Sequence, residues 1–104
     1  VGGDLVVNGF TVASPAPVIT YTTGQLTPLS SVQPVVVTST RALTNVAVLP
    51  AGTLVEFYNP STAVITFTDS APLLLSGNCA LGQHDVLIVR SNGTGWRSLA
   101  CINN

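Results

Sequence analysis

Valine, with 15 residues, and threonine, with 13, lead the composition of this 104-residue chain. Both branch at Cβ, which stiffens χ1 and favours the pleated, half-buried surface of a sheet. Glycine and proline recur every eight to twelve residues, the spacing of short strands in a sandwich or barrel. No window of 11 residues carries a clean 3.6-residue apolar period, so helices have no amphipathic face to bury. The expectation is an all-β fold, an antiparallel β-sandwich, with strands over 4–7, 10–13, 18–22, 32–39, 43–48, 53–58, 63–68, 73–75, 84–90 and 96–102.

The connections have turn chemistry. Asn8-Gly9 is a two-residue hairpin signal, because both residues accept positive φ. Pro50-Ala51-Gly52 and Asn59-Pro60-Ser61 suit tight turns, and Ser91-Asn92-Gly93-Thr94-Gly95 joins the last two strands. Within strands, Val55 and Phe57 oppose Leu54, Glu56 and Tyr58, and Ile65 and Phe67 oppose Val64, Thr66 and Thr68. The run Val86-Leu87-Ile88-Val89 is apolar on both faces, which an antiparallel sheet shows when both sides are covered. Before Thr40 the chain is looser, with Pro15, Pro17, Pro28 and Pro34 among Ser and Thr. Residues 1–31 therefore read as a connecting region, the end of a β-structured shaft, and 32–104 as the globular body.

Charge is scarce. Asp4, Glu56, Asp69, Asp85, Arg41, Arg90 and Arg97 are the whole complement, 7% of the chain, and there is no lysine. Ordinary soluble domains carry about a quarter charged residues. A domain of this size leaves roughly 35% of its unfolded surface in water, and seven charges dress that surface poorly. A net charge of −1 also does little to keep copies apart. Burial against other copies, in a homo-oligomer, resolves the conflict. Three arginines cannot make the basic stripe that nucleic acid requires, so no nucleic acid partner is expected. The apolar runs, such as Leu73-Leu74-Leu75, fall far short of a membrane-spanning helix. Six aromatics are too few for the girdles of a small membrane barrel, so no membrane insertion is expected. The start at Val1 and the lack of methionine read as a piece of a longer protein.

Cys79 and Cys101 are the only cysteines. They read either as a disulfide closing a loop or as buried thiols acting as small apolar groups. The thiol reading is preferred, because a chain this apolar has less need of a covalent staple. A zinc site would need both cysteines, His84 and a fourth ligand without a close-spaced cysteine pair, so no metal and no cofactor are expected.

The later half carries a resemblance. Leu49-Pro50-Ala51-Gly52, Val55-Glu56-Phe57-Tyr58-Asn59, Ile65-Thr66-Phe67-Thr68-Asp69-Ser70, Leu74-Leu75-Ser76-Gly77 and the closing Val86-Leu87-Ile88-Val89-Arg90-Ser91-Asn92-Gly93-Thr94-Gly95-Trp96 together resemble the C-terminal knobs of tailed-bacteriophage tail fibres and tailspikes. The opening Gly3-Asp4-Leu5-Val6-Val7-Asn8-Gly9 is similar to segments of fibre shafts. The resemblance implies a homotrimeric, jelly-roll-like β-sandwich knob at the tail tip of a virion. Its implied roles are binding bacterial surface polysaccharide, lipopolysaccharide or capsule, during host adsorption, or else trimerising and capping the upstream spike without a ligand of its own.

Candidate glycan-binding residues are Tyr58, Asn59, Trp96 and Arg97. Tyr58 and Asn59 sit at a strand end, where a ring edge and an amide can recognise hydroxyls. Tyr21 has similar chemistry in the looser segment. Trp96 has two readings: a platform for a sugar's CH face, or a cross-strand packing residue near Val89 and Arg90. Arg41, Arg90 and Arg97 can equally pair with Glu56, Asp69 or Asp85 across subunits. A glycan binder should show a shallow groove with clustered aromatics and amides; a capping module should bury Trp96 and most aromatics. No enzyme is expected, since the acids are spread singly and the neighbouring pair His84-Asp85 reads as a solvated turn-to-strand junction. Glycoside hydrolysis would need Asp69 and Glu56 of different subunits at roughly 5–9.5 Å. Asn92-Gly93-Thr94 matches a glycosylation sequon, but reads as a turn.

Overall fold

A computed structural model describes residues 4–7, 10–13 and 17–103. The described residues form eleven strands and no helix, as the β-branched composition requires. Strands β1 (Asp4–Val7) and β2 (Phe10–Ala13) pair antiparallel, with Asp4 opposite Ala13 and Val7 opposite Phe10. That register is the expected hairpin; its Asn8-Gly9 turn lies outside the described residues.

The body is built from β3 (Ile19–Thr20), β4 (Val32–Val36), β5 (Arg41–Leu43), β6 (Leu54–Tyr58), β7 (Ile65–Phe67), β8 (Leu73–Leu74), β9 (Cys79–Leu81), β10 (Val86–Ser91) and β11 (Trp96–Ile102). Six of them form one sheet in the order β3-β4-β6-β10-β11-β8, and β5-β7-β9 form a second. The architecture includes a curled half-barrel.

The expected purely antiparallel arrangement is corrected to a mixed one. β3 and β4, β4 and β6, β5 and β7, and β11 and β8 run parallel. Parallel neighbours need a crossover, usually a helix. Here a strand of the opposite sheet does that job: from β4 the chain crosses to β5, returns to β6, crosses to β7, visits β8, then β9, and returns to β10. Successive passes therefore stack in parallel, and a parallel bridge between Leu26 and Val46 extends the pattern to the first pass. β10 pairs antiparallel with both β6 and β11, and two-residue β8 lies parallel to β11 at the far edge.

Alternation decides what faces inward. Val55 and Phe57 of β6, Ile65 and Phe67 of β7, and Leu87 and Val89 of β10 are buried, as the period-two pattern predicts. Phe57 and Phe67, one from each sheet, meet with ring centroids 4.9 Å apart. Residues 17–31 are not merely connecting chain. Tyr21 and Leu26 belong to the same buried core, and Gln33 is fully buried with its amide bound to Pro17 O at 3.1 Å, Pro34 O at 2.8 Å and Leu29 N at 2.9 Å. The boundary expected at residue 32 does not divide the packing.

The thiol expectation is also corrected. Cys79 of β9 and Cys101 of β11 form a disulfide, Cα to Cα 6.0 Å, linking the two sheets. An irregularity in register explains how. Trp96 and Cys101 are five positions apart, so on a regular strand they would point to opposite faces. Between Ile88 and Val89 the pairing skips one residue of β11: Val89 faces Ser98 while Ile88 faces Ala100. The extra residue, Leu99, resets the alternation. Trp96 and Cys101 can then both face the second sheet.

Candidate functional site

The four candidate residues fall into two pairs at opposite ends of the same ladder. Tyr58 lies opposite Val86, at the start of β10, whereas Arg97 lies opposite Arg90, near its end. Four residues of strand separate the two rows, about 13 Å at the usual rise. The structure does not gather them into one site.

Each pair also diverges across the sheet. Trp96 is fully buried, and its indole Nε1 donates to Ala47 O at 3.2 Å. Its backbone N donates to Pro72 O at 2.7 Å. That close approach needs the preceding glycine: a Cβ on Gly95 would stand 2.7 Å from Pro72 O. Of its two readings, Trp96 takes the packing one, so it presents no ring face to a sugar. Its neighbour Arg97 is exposed, with Arg90 directly across.

Asn59 is fully buried as well. Its Nδ2 donates to Ala63 O at 2.9 Å and Leu81 O at 2.7 Å, while Oδ1 accepts from Ser61 N at 2.9 Å and from the Ser61 hydroxyl. Its backbone bonds to Asp85 O and His84 N. Asn59 thus ties the end of β6 to the following turn, to β9 and to the turn before β10. The amide expected to read hydroxyls has no polar atom left over for one.

Tyr58 remains on the outer face, half-buried. Its hydroxyl lies 2.7 Å from His84 Nδ1, with the two rings stacked at 6.0 Å. His84 occupies a turn with φ of 70°, in the left-handed region. The strand expected to start at His84 starts at Val86. Asp85 is not solvated as expected: it is buried, and its Oδ2 accepts from Gly82 N at 2.8 Å.

The remaining acids are scattered. Glu56 is half-buried on the outer face of β6, and exposed Asp69 accepts Leu75 N at 3.0 Å through Oδ1. Arg41 donates from Nη1 to Thr22 O at 2.9 Å. No group of three or more His, Cys, Asp or Glu side chains gathers among the described residues, and no pocket opens among them. Asn92 Oδ1 accepts from Thr94 N and Gly95 N at 2.9 and 2.8 Å, so this amide shapes the hairpin turn, as its sequence suggests.

Sequence reasoning missed Gln33 as a structural centre. The only available signal was a lone amide among valines in a strand pattern, which demands partners once buried. Compared with family models, curated proteins and solved structures, the chain matches none.

Proposed function

We propose that the chain is a structural module of a phage tail fibre or tailspike, a jelly-roll-like sandwich knob that trimerises and caps the upstream shaft without a ligand of its own. The burial of Trp96 carries this reading, because a glycan platform would keep that ring exposed. Phe57, Phe67 and Tyr21 are buried with it, and no pocket opens among the described residues. Trimerisation answers the sparse charge, and the quoted motifs supply the phage context.

A second reading, recognition of bacterial surface polysaccharide at the virion's tail tip, draws on one observation. The Tyr58–His84 ring pair stands on the outer face with a polar hydroxyl, where a neighbouring subunit could complete a groove. Neither reading assigns a catalytic residue.

The test is twofold. Light scattering should give three times the 10.7 kDa chain mass, and a glycan array with host polysaccharides should show no binding. Binding that disappears in Tyr58→Phe with the trimer intact would establish the second reading instead.

A further inference from the structure

The outward face of the larger sheet has both an apolar surplus and an unanswered charge pattern. Of the seven large apolar side chains exposed among the described residues, Leu54, Leu74, Leu99 and Ile102 lie on strands of this sheet, at 43%, 44%, 55% and 47% exposure. The register places Leu54, Arg90, Arg97 and Leu74 in one row across four strands. Glu56 lies in the next row along, between Val32 and Ile88. The three long strands β6, β10 and β11, about 4.8 Å apart and about 20 Å long, make a face of roughly 300 Å² in projection, which Leu74 of β8 extends. Monomers rarely expose contiguous apolar patches beyond a few hundred Å².

The charges specify what covers it. Arg90 and Arg97 are directly cross-strand, an arrangement that disfavours the sheet unless an anion lies over them. Glu56 has Val32 and Ile88 directly beside it and Arg90 on the diagonal across β10, with no ion pair between its carboxylate and that guanidinium. The three side chains make no ion pair among the described residues. One face therefore bears a pair of cations at one end and an anion in the middle, on an apolar ground. The same face on the neighbouring copies of a closed ring supplies the complement of each, an anion from one neighbour and the cations from the other.

We propose that this face is the contact between copies of the chain, with Glu56 of one copy meeting Arg90 and Arg97 of the next. The inference rests on the homo-oligomer in the function proposed above, and names its surface and the ion pairs that select it. Leu99, the extra residue of the β11 irregularity, is then an interface side chain. Desolvated between copies, the ion pairs act mainly through specificity: mismatched like charges cost far more than the matched pairs contribute.

Charge reversal tests it, with mass measured by light scattering and affinity by sedimentation across a dilution series. Circular dichroism and melting temperature establish that each variant is folded. The wild type should be oligomeric. Glu56→Arg and the double variant Arg90→Glu/Arg97→Glu should each raise the dissociation constant on the order of a hundredfold. Combining all three should recover most of the loss. Leu99→Asp should dissociate the oligomer without any change to the ion pairs. An oligomer indifferent to both reversals and to Leu99→Asp overturns the face while leaving the oligomer standing. Failure of the triple variant to recover overturns the ion pairing. A wild type that stays monomeric at hundreds of micromolar overturns both the face and the oligomer; polysaccharide binding abolished by Arg90→Glu/Arg97→Glu would then assign the face to an acidic glycan.

Discussion

Replacing Asn59 by alanine should destabilise the fold severely while touching no ligand. The variant loses the donations to Ala63 O and Leu81 O and leaves Ser61 N without its acceptor. Each of these three bonds is worth about 1 kcal/mol net. Leu81 O lies in a fully buried environment, where an unsatisfied group costs about 1–3 kcal/mol. Two ordinary bonds plus the unsatisfied Leu81 carbonyl make the expected loss about 3–5 kcal/mol. For a domain near 100 residues that corresponds to a fall in melting temperature of roughly 12–40 °C. Asn59→Asp sharpens the test, because it keeps the acceptor facing Ser61 but turns an acceptor toward two carbonyls. It should be at least as damaging. Urea denaturation followed by the fluorescence of Trp96, the single tryptophan and fully buried, reads both variants. A loss below 0.5–1 kcal/mol, smaller than one ordinary hydrogen bond, would refute the assignment of Asn59 as a structural tie.

Other substitutions have equally direct outcomes. Serine at both Cys79 and Cys101 opens a loop whose ends are 22 residues apart, and should cost about 3 kcal/mol in the chain-entropy account; wild-type denaturation with and without reductant should show the same gap. Gly95→Ala drives a Cβ against Pro72 O and should cost about 1–3 kcal/mol as overpacking, measured as a shift in urea midpoint. Trp96→Ala removes the largest fully buried side chain and should cost about 3–5 kcal/mol, measured by calorimetry; an unchanged melting temperature would return Trp96 to the surface.

Much of the fold was legible because the chemistry is local. The hairpin of β1 and β2 and the final strand from Trp96 to Ile102 have the expected bounds, since alternation and turn residues specify them within a few positions. The strand from Cys79 to Leu81 was missed. It is three residues long and hemmed by Gly77 and Gly82, too short for alternation to register. Parallel pairing was illegible for a different reason: β4 and β6 are neighbours only because β5 and β7 carry the crossovers in the other sheet, a relation no local pattern encodes. The site residues failed at a finer level. Trp96 and Arg97 are both candidates by residue type although neighbours on a strand point to opposite faces, and which of the two faces inward depends on the partner sheet. The disulfide depends on an irregularity set by the pairing of β10 with β11, and on strand β9 being there to meet it.

The larger sheet begins with β3 and finishes with β8, two residues each. A sheet's margin is a row of free donors and acceptors that invites strands from other molecules, and short marginal strands keep that invitation small. Copies of this chain therefore gain little by extending one sheet into the next. A fragment beginning at Val32 would lose β3 along with Tyr21 and Leu26, unpairing Val35 and Val36 so that the whole outer edge of β4 is free, and baring the core beneath it. Such a fragment should precipitate or grow filaments by strand addition. Residues 19–26, in the stretch that reads as loose, thus guard the margin of an apolar and weakly charged protein against open-ended polymerisation.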